Sequence, residues 1–309
     1  MARSLTPLIV WAVAAALLSC AAPVPQPNAG QTFDTPETAV RTLIDVVRRG
    51  DLDHLLRLFG PDGEELANSS DPATGRRNRE VFIVAAAEGW HLAALGPDKK
   101  ALVVGNENWT FPIPLVRDAG TWRFDTAAGK EEVLARRIGR NEIAVIEVCR
   151  TYVVAQQLYA RGGHDGKPAG IYARTIASDA GKHNGLYWPA PRGEKQSPLG
   201  DLLAEAAADR RGARGMVTTP LPFHGYFFRI LTAQGPHASD GARDYLTGGE
   251  MAGGFALVAW PAEYDVTGVM TFIVNHEGVV HENDLGPDTD ALAKAMERYD
   301  PDPSWKVVR

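Results

Sequence analysis

Hydrophobic positions change their spacing twice along this chain, and the changes mark its elements. Val40, Leu43, Ile44 and Val47 share one helical stripe, and Leu52, Leu55, Leu56 and Phe59 form a second after Gly50-Asp51. Thr35-Pro36-Glu37 supplies a hydroxyl N-cap, a first-turn proline and an acid at the positive dipole end. A polar stretch at 60–77 leads into a third helical pattern around 80–87. Strand-like segments follow: 91–95 and 101–104 flank Gly96-Pro97-Asp98, while 111–116 and 121–124 flank Asp118-Ala119-Gly120. Two hairpins are expected. Pro112 and Pro114 should confine their strand to an edge or a bulge.

Helical spacing returns at 131–138, passes a potential kink at Gly139, and continues over 141–159. Ala144, Val145, Val148, Tyr152, Ala155 and Tyr159 form one apolar arc, with Ile143, Ile146, Val153, Val154 and Leu158 on the other sides. A helix apolar nearly all round is expected to be buried on several sides. Residues 161–198 are rich in Gly and Pro and read as irregular, and 198–209 as a short helix. Strands are expected at 224–232, 255–260, 270–274 and 279–282, the last two joined by a turn at 275–278. The run at 255–260 is continuously apolar, as in an inner strand, and 288–299 closes with a helix carrying Leu292 and Met296. The expected fold is therefore α+β. Residues 33–128 form N-terminal helices with antiparallel hairpins, and 129–309 a long helix packed on an antiparallel β-meander.

Ahead of these elements, Arg3 and the apolar run 8–18 have the form of a signal peptide at 1–19. The run is too short to span the ~30 Å hydrocarbon core as a mature helix. Its end, Leu17-Leu18-Ser19-Cys20, resembles a bacterial lipobox, which places the lipid attachment at Cys20. Residues 20–32 hold Pro23, Pro25 and Pro27 and read as an extended tether. Ala21, where an Asp would retain the protein at the inner membrane, resembles the sorting pattern for the outer membrane of a double-membraned cell. The expected location is then the cell envelope, facing the periplasm.

Composition narrows the chemistry. The 309 residues carry 32 basic and 38 acidic side chains, a formal net charge of −6, and nucleic-acid binders need a basic face instead. Removing 1–19 takes away only Arg3, leaving 31 basic against 38 acidic, or −7. Two cysteines supply neither a disulfide framework nor a thiolate zinc site. With Cys20 lipidated, Cys149 remains, and its helical, apolar neighbours point to an inert buried thiol.

No motif passes a spacing test for catalysis or cofactor binding. His276-Glu277-Gly278-Val279-Val280-His281 resembles a zinc-protease helix, yet its histidines stand five apart across a turn, not four apart on one face. His164-Asp165-Gly166-Lys167 offers a single acid where a calcium loop needs several oxygens. Asp284, Asp288 and Asp290 fit helix capping, and neither a nucleophile elbow nor a phosphate-binding glycine loop occurs. No cofactor or metal is expected. Trp109, Tyr187 and Trp188 fall in loops, and together with His224, at the start of the strand expected at 224–232, they are the candidate binding surface.

Three resemblances extend this reading. Thr-Pro-Glu-Thr-Ala-Val at 35–40 with Gly50-Asp51 resembles small domains similar to nuclear transport factor 2. The long helix followed by a meander resembles the head of type IV pilin-like and pseudopilin proteins, without their hydrophobic N-terminal assembly helix. The strings at 124–132, 136–142, 185–189, 224–236, 253–264 and 284–289 together resemble the bacterial domain-of-unknown-function family numbered 2950. That family resemblance covers about 33–309 and implies an exported, often lipidated protein with no residue-level activity to carry over. The expected function is a lipid-anchored envelope protein acting as a non-catalytic module that binds an envelope protein or a glycan. The alternative is an envelope hydrolase of peptidoglycan or polysaccharide, which would gather several of His183, His224, Asp244, His276 and Glu277 in one deep pocket.

Overall fold

The computed structural model describes residues 30–60, 63–64, 72–190, 196–200 and 222–309. The expected signal peptide, Cys20, most of the tether and residues 201–209 of the expected helix at 198–209 lie outside the described residues. Backbone packing separates two compact units. The first takes the described residues up to 64 with 79–110 and 114–126, and the second takes 72–78, 111–113 and 127–309. The architecture is α+β, with antiparallel sheets in both units.

In the first unit, α1 (Pro36–Arg49) starts where Thr38 N donates to Thr35 Oγ1 at 3.2 Å, and ends at Gly50 in the left-handed region. α2 (Leu52–Phe59) starts where His54 N donates to Asp51 Oδ1 at 2.9 Å. α3 (Pro72–Glu88) leads into β1 (Trp90–Gly96), β2 (Lys99–Val104), β3 (Trp109–Thr110), β4 (Leu115–Asp118) and β5 (Thr121–Phe124). The sheet order is β1-β2-β4-β5, with β3 on the side of β2. Both hairpins form, but β4 begins only after Pro114 and lies between β2 and β5. The expected strand at 111–116 is thus displaced toward the C-terminus, because an inner strand needs the N–H groups that Pro112 and Pro114 lack. Val40, Leu43, Leu58, Leu102, Leu115 and Phe124 form the core, and Phe59 meets Phe124 edge-on at 5.3 Å.

The second unit is organised by α4 (Thr126–Ala160), 35 residues without a break at Gly139. The chain continues through β6 (Tyr226–Leu231), β7 (Ala233–Gln234), β8 (Arg243–Asp244), β9 (Leu246–Thr247), β10 (Glu250–Met251), β11 (Ala256–Pro261), β12 (Met270–Asn275) and β13 (Val280–Asp284). It ends with α5 (Thr289–Ala295) and β14 (Lys306–Val307). The main sheet is antiparallel in the order β14-β13-β12-β11-β6, and every residue of β11 is buried. One face packs on α4, where Val145, Cys149, Tyr152 and Tyr159 join Phe255, Leu257 and Phe272 in a single core. Trp260 donates to Asp290 Oδ1 at 3.1 Å, which ties α5 to the sheet.

Two expectations are corrected here. α4 is not covered all round: Val153, off the main arc, is 7 % exposed and joins the core, but Ile143, Val154 and Leu158 are 66 %, 54 % and 46 % exposed. The apolar residues off its main arc therefore do not all mark covered sides. The closing helix spans Thr289–Ala295 rather than 288–299, because Met296 turns to extended backbone and Tyr299 runs beside Gln234 as a bridge. Among the described residues, no helix is long and apolar enough to cross a membrane.

Candidate functional site

Polar side chains of the second unit concentrate where β7 and β8 meet the end of β12. Gln234, almost fully buried, donates to Gly241 O at 2.7 Å and accepts from the Tyr245 hydroxyl at 2.7 Å. Asn275 Oδ1 accepts from Glu277 N at 3.1 Å, and the Ser239 hydroxyl donates to Glu277 Oε1. Arg243 donates to His276 Nε2 at 3.1 Å and lies 3.7 Å from Asp240. That donation fixes the tautomer: the proton of a neutral His276 sits on Nδ1, a buried atom with no acceptor in hydrogen-bonding geometry. Burial, then the Arg243 charge, hold the His276 pKa below the ordinary imidazole value. Burial likewise pushes the Tyr245 hydroxyl up to about 12. The cluster clamps the β7–β8 excursion to the sheet, and its basic nitrogen is already taken by Arg243.

A second cluster surrounds the end of α4. The His164 ring stacks on Tyr159 at 4.1 Å, and His183 stacks on Trp188 at 4.4 Å. Tyr159 donates to His183 O at 2.9 Å, and Asp165 Oδ2 accepts from His183 N at 2.8 Å. One turn earlier, Gln156 holds the backbone of Ala173 by both groups: Nε2 donates to Ala173 O at 2.8 Å, and Oε1 accepts from Ala173 N at 2.9 Å. These contacts give the irregular segment after α4 a fixed path.

The candidate residues fall in different settings. Trp109 belongs to the first unit, in β3, and is 46 % exposed. Tyr187 is half-buried, whereas Trp188 is only 4 % exposed, so it packs in the core instead of offering an open ring. His224, with Gly225, makes the two-residue turn before β6, both at positive φ, closed by Phe223 N to Tyr226 O at 2.8 Å. His276 and His281 have separate partners, since His281 Nδ1 lies 3.2 Å from the Tyr299 hydroxyl. Lys167 pairs with Glu250 at 2.7 Å, and Asp165 is engaged as above. Among the described residues, no group of three or more His, Cys, Asp or Glu is placed to hold a metal ion. Cys149 is fully buried, and desolvation pushes its thiol up to about 12.

Two depressions open on this unit. A cleft of about 410 Å³ runs along residues 229–233, with Asp244, Leu246, Glu297 and Arg298 at its sides. Arg229 donates there to Ala293 O at 2.7 Å and to Met296 O, closing the carbonyl end of α5. The other depression, also about 410 Å³, lies between α4 and the loop at 265–269. Asp244 lines the first, His276 and Glu277 belong to the sheet-end cluster, and His183 and His224 stand in the stack and the turn. Sequence reasoning missed Gln156, Glu142 and Arg229. Each is a polar residue on an otherwise apolar arc or strand, which is the signal that could have found them.

Residues 30–308 match the family described as protein of unknown function (DUF2950), and the chain belongs to that family. No curated protein and no solved structure matches.

Proposed function

For this member of DUF2950, we propose a lipid-anchored cell-envelope protein whose folded units bind or assemble with an envelope protein or a glycan. The carrying observation is Cys20 just after the apolar run 8–18, followed within seven residues by Pro23, Pro25 and Pro27. Two or three acyl chains on that cysteine would give stable anchoring, whereas a single chain is marginal. At ~3.1 Å per residue, an extended tether over 20–32 would hold the folded units up to about 40 Å from the lipid surface. Ala21 favours the outer membrane, facing the periplasm, in a double-membraned cell. The exposed Trp109 ring and the two depressions of the second unit support a binding role. A hydrolase would call for several of the named histidines and acids in one pocket, and they are distributed over separate settings instead. The test is Cys20→Ala in cells fed labelled palmitate. The proposal expects label in the wild-type chain, and a variant that carries none and leaves the membrane fraction. Equal fractionation with no label in either chain would refute it.

A further inference from the structure

The depression beside α4 has features that the packing of the chain does not explain. Glu131, Leu134, Ala135, Ile138 and Glu142 recur at helical spacing, so one face of α4 forms its floor. Asp265 and Val269 form the opposite wall. That wall is fixed: Asn141 Nδ2 donates to Thr267 O at 2.8 Å, and Glu142 Oε1 accepts from Val269 N at 2.9 Å and Met270 N at 3.0 Å. Gly139 also lines the groove, and a Cβ built on it would meet no atom within 4 Å. Glycine is a poor residue for the interior of a 35-residue helix, and neither a turn nor a close neighbour requires it here. What it provides is an open notch among Leu134, Ala135 and Ile138.

The charged side chains that line the groove are acidic, while Lys130, Arg136, Arg137 and Arg140 stand elsewhere on the same stretch of α4. Among the described residues no basic side chain lines the groove, and neither Glu131 nor Asp265 forms an ion pair. Glu142 Oε1 accepts from the backbone and from the Tyr226 hydroxyl at 3.5 Å, and among the described residues its Oε2 has no donor. Fixed walls, an apolar floor and three acids at the rim complement an apolar side chain flanked by cations.

We propose that this groove docks an amphipathic polypeptide segment, which seats an aliphatic side chain in the Gly139 notch and sets Lys or Arg against Glu131, Glu142 and Asp265. The inference rests on the binding reading above and is independent of the anchor at Cys20. Desolvated contact with Leu134, Ile138 and Val269 supplies the affinity, and the acids supply orientation and preference for basic partners.

The probe is a synthetic helical peptide of Leu, Ala and Arg, compared with the same peptide carrying Glu in place of every Arg. Both are titrated calorimetrically against the full chain in detergent. The basic peptide should bind and the acidic one should not. Gly139→Leu, which fills the notch, should weaken binding about tenfold or more, and Asp265→Asn, at an exposed position, by about threefold. Gly139→Ala should raise the unfolding midpoint, which separates loss of binding from loss of folding. Equal binding of both peptides, no binding by either, or unchanged affinity in Gly139→Leu would each overturn the proposal. A membrane-free Cys20→Ala chain that still binds the basic peptide leaves this inference standing. A correctly lipidated chain that fails to bind removes it alone.

Discussion

Replacing Gln156 with Leu puts the hold on the Ala173 backbone to a quantitative test. The two side chains are close in size, so the change removes hydrogen bonds with little change in volume. Gln156 is fully buried and Ala173 is 1 % exposed, so water does not replace what is lost. The Ala173 N–H and C=O both lose their partner, and Tyr152 loses the donation from Nε2 at 3.0 Å. A buried polar group left unpaired costs roughly 1–3 kcal/mol, which gives about 2–6 kcal/mol for the two backbone groups. The added apolar surface of Leu returns about 1 kcal/mol. A net loss of about 3 kcal/mol follows. The assay is urea unfolding at neutral pH, with hydrogen exchange at the Ala173 amide. Tyr152→Phe should cost less, about 1 kcal/mol, because it removes one hydroxyl that donates to Ala256 O at 3.1 Å. If Gln156→Leu shifts stability by under about 0.5 kcal/mol and leaves Ala173 exchange unchanged, the reasoning is refuted.

Three further outcomes are expected. Arg229→Met should cost about 2–3 kcal/mol by thermal or urea unfolding, since the carbonyls of Ala293 and Met296 lose a charged donor; a neutral effect would contradict the capping role. Cys149, with its thiol raised to about 12, should resist iodoacetamide in the folded chain and react once urea unfolds it; rapid native labelling would be inconsistent with its burial. The third concerns pH. The folded His276 pKa lies below its ordinary 6.5, so the unfolded chain binds the proton first as pH falls. The stability tied to neutral His276 is complete above about pH 6.5, declines below it, and levels off once pH passes the folded pKa. His281 shifts the same way through its own burial. His276→Gln should therefore flatten the slope of unfolding free energy as pH falls below about 6.5, and an unchanged slope would contradict the assignment.

Periodicity located the helices and inner strands because those residues interact with near neighbours or with one buried face. The stripe Val40, Leu43, Ile44 and the run at 255–260 are examples, and both are buried. It erred where tertiary partners decide. Ile143, Val154 and Leu158 have the same chemistry as Val145 and Val148, and only the position of the sheet determines which side is covered. Pro112 and Pro114 pointed to an edge strand or a bulge, and the chain instead starts the strand after Pro114 and pairs it on both sides, between β2 and β5. The candidate site was less legible still. Trp188 reads as a loop aromatic until the rings of His164 and His183 are seen against it. The groove beside Gly139 depends on a loop 126 to 130 residues away in sequence that Asn141 and Glu142 hold in place. No local pattern encodes such a pairing.

Intact-mass and tandem mass spectrometry of the mature protein, extracted from membranes of its own cells, tests the central claim most directly. The account predicts a chain beginning at Cys20, with a diacylglycerol thioether on its sulfur. A chain that begins at Met1, or one that retains Cys20 as a free thiol, would contradict it.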